Sequence, residues 1–335
     1  MPKRIGRYTL ALSNRPCILA SATAVGKKEA EGPRGALFDK VYEDGKCAKD
    51  AWEEAESELQ RAALAEALRK AGLEPSALDM LFAGDLLNQC LSSAVHASNL
   101  LLPYIGLYGA CSTMAESLAL ASCFVEGGLA SRCAALTSSH FCASERQFRF
   151  PLEYGSQRPA SAQWTATASG AAIVGRGEGP CVSAVTFGKI VDFGVKDANN
   201  MGGAMAPAAA DTLATFFQDT GSRPADFDLV LTGDLGAVGS ELLHTLMEER
   251  GFPLGTVHDD CGLRLYDRKA QEVEAGGSGC GCSAAIVCGE IIPMLRERKL
   301  RRVLFAATGA LMSLTSAQQR MSIPGIAHAV LLESE

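Results

Sequence analysis

Short apolar runs alternate with longer helical patterns along this chain. Asp79–Ala83, Tyr104–Leu107 and Cys133–Thr137 read as strands, and Ser92–Leu102 and Ser112–Val125 between them read as helices. This alternation predicts an α/β sheet with crossover helices, where ligands gather beyond the carboxyl ends of the strands. Further along, Met205–Phe216 predicts a helix with Pro207 in its first turn. A glycine-rich turn at Ala275–Cys282 opens a helix reaching about Arg296, and Val303–Ser313 gives a last strand and turn.

The pattern is duplicated. Gly72-Leu-Glu-Pro75-Ser-Ala-Leu-Asp79-Met-Leu-Phe-Ala-Gly84-Asp85-Leu86 recurs as Gly221-Ser-Arg-Pro224-Ala-Asp-Phe-Asp228-Leu-Val-Leu-Thr-Gly233-Asp234-Leu235, at a constant offset of 149 residues (Gly72 to Gly221). Two copies at so long a period predict two similar halves packed together, 1–175 and 176–335, and not a solenoid.

Three polar segments fall at strand ends in the first half: Gly84-Asp85-Leu-Leu-Asn88-Gln89, Gly109-Ala110-Cys111 and Thr137-Ser-Ser-His140. They are expected to converge on one pocket. Cys111 stands where an apolar run turns into a helix. A helix N-terminus favours an anion, so the thiolate form is expected to be stabilised there. The competing reading is a small core residue, since free cysteine is often buried. Asp85 either approaches a cation carried by a ligand or caps the following helix. Glu145–Gly155 concentrates Arg146, Phe148 and Arg149 in a chain only 6% aromatic. Arginine forks pair with carboxylates and an aromatic ring covers a flat ligand. A dimer or inter-lobe loop would use the same residues.

Composition narrows the classes. Of the 335 residues, 47% are hydrophobic and 21% charged, which fits a folded globular chain. The net charge of −7 argues against a basic surface and against nucleic acid as a partner. No apolar stretch is long enough to span a bilayer and the N-terminus lacks a signal pattern, so a soluble protein is expected. Twelve cysteines at irregular spacing suggest a reducing compartment more than a disulfide framework. Cys280-Gly-Cys282 lacks metal-site spacing and the five histidines do not cluster, so no metal cofactor is expected.

Gly-Ala-Cys at a strand-to-helix junction in a duplicated α/β chain resembles the thiolase superfamily, which includes the β-ketoacyl synthases. The segments at Gly84–Gln89, Gly109–Thr113, Thr137–His140, Glu145–Arg149, Met205–Thr212, Gly276–Cys280 and Ala306–Ser313 resemble, more narrowly, the stage V sporulation AD family, over about Ser21–His328. The resemblance implies a thiolase-like duplicated five-layer α/β/α/β/α sandwich, with helices such as Ser112–Val125 apolar almost all round. Condensing enzymes pair their cysteine with acid–base residues from two loops of the second half. Here those loops read Gly276-Gly277-Ser278 and Thr308-Gly309-Ala310, with no acid or base.

The resemblance therefore implies a non-catalytic binding protein, the soluble component of the machinery that moves dipicolinic acid, free or as its calcium chelate, in sporulation and germination. Its expected ligand-binding residues are Cys111, Asp85, Asn88, His140, Arg146, Phe148, Gly277 and Thr308, with calcium only as part of the ligand. It also implies a homodimer, held at the spore inner membrane by membrane-embedded partner subunits. An acyl-CoA-dependent acyltransferase or condensing enzyme using Cys111, and a structural scaffold of a membrane complex, are the alternatives.

Overall fold

The computed structural model describes residues 2–148 and 158–335. Its principal strands are β1 (Cys17–Gly26), β2 (Met80–Gly84), β3 (Tyr104–Gly106), β4 (Arg132–Ser139) and β5 (Ala168–Gly175), then β6 (Cys181–Phe187), β7 (Leu229–Thr232), β8 (His258–Asp260), β9 (Arg302–Ala310) and β10 (Gly325–Glu333). Across the sheet they run β8-β7-β9-β10-β6-β1-β5-β4-β2-β3. The duplication is visible in this order. β5 is antiparallel to β1 and β4, and β2 is parallel to β4 and β3. β10, β6, β9, β7 and β8 repeat the same relations.

The two sets of strands meet at one ladder position, Cys181 opposite Cys17, and those two cysteines form a disulfide. The remaining ten cysteines are free. Cysteine spacing gave no sign of this bond. Its partners lie 164 residues apart and only the sheet register brings them together.

Helices cover both faces. α1 (Trp52–Ala71) lies on β1 and β5, with α2 (Leu91–Ser98) beside it, while α5 (Met201–Thr220) lies on β9 and β10 beside α6 (Gly236–Glu249). Between the half-sheets run α3 (Thr113–Glu126) and α8 (Cys280–Ile286), followed by a π-helical turn at Val287–Ile291 and α9 (Ile292–Arg296). α3 touches β2 and β4 of its own half and β9 and β10 of the other, and α8 packs beside it on β4 and β5. Alanine and serine at 115, 117, 119, 121 and 122 of α3 are buried, so little side-chain bulk separates the sheets there. The result is the α/β/α/β/α layering.

The glycines of the sequence repeat have a common task. Gly72 ends α1 at φ 64° and Gly221 ends α5 at φ 67°, left-handed positions that glycine fills without strain. Two boundaries differ from the sequence pattern. Pro207 lies inside α5, because the helix starts earlier, at Met201, with the Asn200 side chain accepting from Gly203 N. Gly202 and Gly203 had hidden that first turn. α2 stops at Ser98, and Leu101 takes a left-handed φ of 54°. Among the described residues no helix is long and apolar enough to cross a membrane.

Candidate functional site

The turn before α3 is tightly wired. Ser112 Oγ donates to Gly109 O at 2.6 Å, Thr113 Oγ1 donates to Ala110 O at 2.7 Å, and Thr113 Oγ1 accepts from Gly109 N at 3.1 Å. Ala110 sits at φ 49°, an uncommon position for a residue with a side chain. This bend presents Cys111, 5% exposed, at the base of a pocket.

The second half closes over that turn. Gly309, near the end of β9, passes so close that an added Cβ would lie 2.2 Å from Gly109 O. Asp234, fully buried, brings three polar groups of this half together. Its Oδ2 accepts from Gly279 N at 2.8 Å and Ser278 Oγ at 3.2 Å, and its Oδ1 accepts from Thr308 Oγ1 at 2.9 Å. The Cys111 thiol is close enough to Asp234 for each to shift the other's protonation.

Burial, and then the Asp234 charge, push the Cys111 thiol well above its usual range. Burial raises Asp234 to about 6, with the thiol and the other donors opposing the rise. The proton therefore stays on sulfur at neutral pH. This corrects the expectation of a thiolate stabilised by the helix terminus. Cys111 lies two residues before the first helical residue, and burial, with the Asp234 carboxylate beside it, favours the neutral thiol.

Leu86, Ala110, Phe148, Met201, Ala310 and Met312 form apolar walls around Cys111, and Glu145, Thr165 and Ser278 supply polar edges. The space enclosed is about 30 Å³, comparable with one water molecule. Glu145 is itself held by Thr165 Oγ1 at 2.9 Å and Arg158 Nη2 at 3.2 Å.

Of the residues expected from sequence, Cys111 and Phe148 line this pocket and Thr308 reaches it through Asp234. Gly277 pairs with Trp164 in a short parallel ladder beside Ser278, and a Cβ there would lie 2.9 Å from Cys282 Sγ. The others have partners elsewhere. Asp85 caps α2, accepting from Ser93 N at 2.8 Å and Ser93 Oγ at 2.6 Å. Asn88 is exposed and exchanges hydrogen bonds with Gln147. His140 Nε2 donates to Gly45 O at 2.7 Å, and Arg146 pairs with Glu53. Arg149 and the rest of its segment to Gly155 lie outside the described residues.

Asp234 was missed as a site residue although the repeat contains it, as the counterpart of Asp85. The two aspartates hold matching sequence positions and do different work. Ser278 and Glu145 carried no spacing signal of their own.

A cysteine at a strand-to-helix turn between two duplicated half-sheets defines the thiolase-like class, and comparison with solved structures agrees on the fold. The 3-oxoacyl-[acyl-carrier-protein] synthase III of Aquifex aeolicus aligns with a TM-score of 0.59 at 14% identity, over 95% of this chain and 99% of that one. The Acat5 thiolase of Ascaris suum aligns with a TM-score of 0.59 at 10% identity, over 96% and 100%.

The sequence is more specific. The stage V sporulation protein AD family matches residues 6–333, and stage V sporulation protein AD of Bacillus subtilis (strain 168) is 46% identical over 332 residues, 99% of this chain and 98% of that protein. The chain belongs to the stage V sporulation protein AD family.

Proposed function

We propose that this chain is a non-catalytic thiolase-fold protein that binds dipicolinic acid as the ligand-recognising component of a sporulation transport machinery. One observation carries the non-catalytic part. Asp234, Ser278 and Cys280 stand against Cys111 from the second half, the Cys280 thiol is itself given to Ser138 O at 2.9 Å, and burial, then the Asp234 carboxylate, keep Cys111 protonated. A nucleophilic cysteine needs the opposite arrangement, a base or cation that draws the proton away.

The walls support a flat ring. Phe148 and the Met201 and Met312 side chains offer apolar faces, and the polar groups lie at the edges. Among the described residues the lining carries the Glu145 carboxyl and no cation, which favours a dicarboxylate whose charge is already matched, as in its calcium chelate.

The same reading includes a homodimer and membrane-embedded partner subunits. Leu91, Val95, Leu101, Ile105 and Tyr108 are exposed on or near α2 and β3, the strand that ends the sheet among the described residues, and these apolar side chains support a protein partner there.

Calorimetric titration with dipicolinate, with and without calcium, tests the proposal beside a Cys111→Ala variant and a benzoate control. Saturable binding that Cys111→Ala alters supports it. Absence of heat in every condition overturns it for this chain. A stable thioester at Cys111 after incubation with acyl-CoA would favour an acyltransferase instead.

A further inference from the structure

Asp260 lies behind the pocket. It is fully buried, and its carboxylate accepts from Thr232 Oγ1 at 2.7 Å, Leu235 N at 2.8 Å, Gly236 N at 3.0 Å and Gly262 N at 3.0 Å. The Gly262 bond caps the short helix α7 (Cys261–Leu265). Leu235 N and Gly236 N are in turn the N-cap and first amides of α6, so this one carboxylate ties the starts of two helices together. Leu235 and Gly236 directly follow Asp234, whose carboxylate acts on the Cys111 thiol. Gly236 has φ +62°, and a Cβ there would lie 2.6 Å from Ala275 O, so the loop has little slack.

The carboxylate also has a support chain. With its own proton given to Asp260, the Thr232 hydroxyl accepts from His258 Nε2 at 3.0 Å. His258 Nδ1 then accepts from His244 Nε2 at 3.1 Å. Burial keeps His258 well below its ordinary range, at about 4, which fits a neutral ring in this chain of donors. His244 is half-buried on α6, so the chain runs from near the surface to the loop behind the site.

We propose that Asp260 is a positioning residue for the Cys111 centre: it fixes the backbone after Asp234 so that the Asp234 carboxylate stays on the thiol, with Thr232, His258 and His244 bracing it. This deepens the reading of the Cys111 pocket as the functional site and rests on that reading. It does not depend on which ligand the pocket takes.

The test is site-resolved alkylation of Cys111 by iodoacetamide across alkaline pH, read by peptide mass spectrometry on the full chain. Asp234→Asn serves as the direct perturbation. Asp260→Asn is expected to lower the pH midpoint of Cys111 alkylation by about one unit, which is about ten-fold faster labelling on the rising limb. Asp219→Asn is the structural control, because Asp219 also accepts four bonds, from Arg7 N, Tyr8 N, Thr9 N and Thr9 Oγ1, with none to this loop.

An unchanged Cys111 profile in a cooperatively melting Asp260→Asn protein overturns the proposal, and so does an equal shift in Asp219→Asn. Should Asp260→Asn fail to fold, Thr232→Val, which removes one donor and keeps the shape, decides by the same readout. Dipicolinate is absent throughout, so failure of the ligand proposal and failure of this one are separable.

Discussion

The Cys111 thiol and the Asp234 carboxylate act on each other's protonation across the boundary between the two halves. Burial first, and an aspartate from the other repeat second, keep this cysteine protonated. In the first half the matching aspartate, Asp85, is spent on capping α2. Duplication supplied two equivalent carboxylates and only one was placed against the thiol.

Cys111 should therefore be a poor nucleophile. Half-buried Cys142, at the start of α4 (Phe141–Phe148), is expected to label before it, and at pH 8 Cys111 should react at least about ten times more slowly than an ordinary thiol. Competitive iodoacetamide labelling with peptide mass spectrometry measures this. Preferential labelling of Cys111 would show that a thiolate forms there after all.

Glu116 gives a pH prediction. It sits in the first turn of α3 with no partner for Oε2 among the described residues, and burial raises its carboxyl to about 7 from 4.5. A raised folded-state value means that its favourable contribution is complete below about pH 4.5 and is lost as pH rises through 7. Glu116→Gln should therefore gain about 1–3 kcal/mol relative to the unsubstituted chain on going from pH 5 to 8.5. Denaturant melts at the two pH values check it, and a gain that does not grow with pH would contradict the assignment.

Gly309→Ala tests the contact between halves. The new methyl would collide with Gly109 O, and backbone must move on one side or the other. A cost of about 1–3 kcal/mol is expected, together with altered access to Cys111. Gly45→Ala is the control, since the nearest atom to its added Cβ is 3.8 Å away. Equal melting temperatures for the two variants would show that the halves are less closely seated than this.

The Cys17–Cys181 bond closes a span of 164 residues at the point where the two sets of strands join. Cys181→Ser, or a reductant that reaches the bond, is expected to lower unfolding free energy by about 2–5 kcal/mol. Melts of the oxidised, reduced and Cys181→Ser proteins should show it, with the last two alike. Identical midpoints in all three would deny the bond a stabilising role.

Much of the fold was legible in the sequence because its signals are local. Apolar periodicity located the strands at 80–84 and 132–139 and the buried helix α3 to within about two residues. The Gly-Pro-Asp-Gly-Asp repeat announced two like halves, since its glycine ends a helix and its aspartates sit in turns, tasks set by a few neighbouring residues. The Gly-Ala-Cys turn marked the right place for a site.

What the tertiary structure alone decided was which distant groups meet there. Spacing along the chain cannot show that Asp234 faces Cys111 while Asp85 turns to Ser93, because the two lie in nearly identical local sequence and differ only in what packs around them. Nor can it show that Arg146 is taken by Glu53, His140 by Gly45 and Cys17 by Cys181. The ionisation of Cys111 follows the same rule: a helix terminus argues for an anion, and burial beside a carboxylate, created only when the halves close, argues more strongly for the proton.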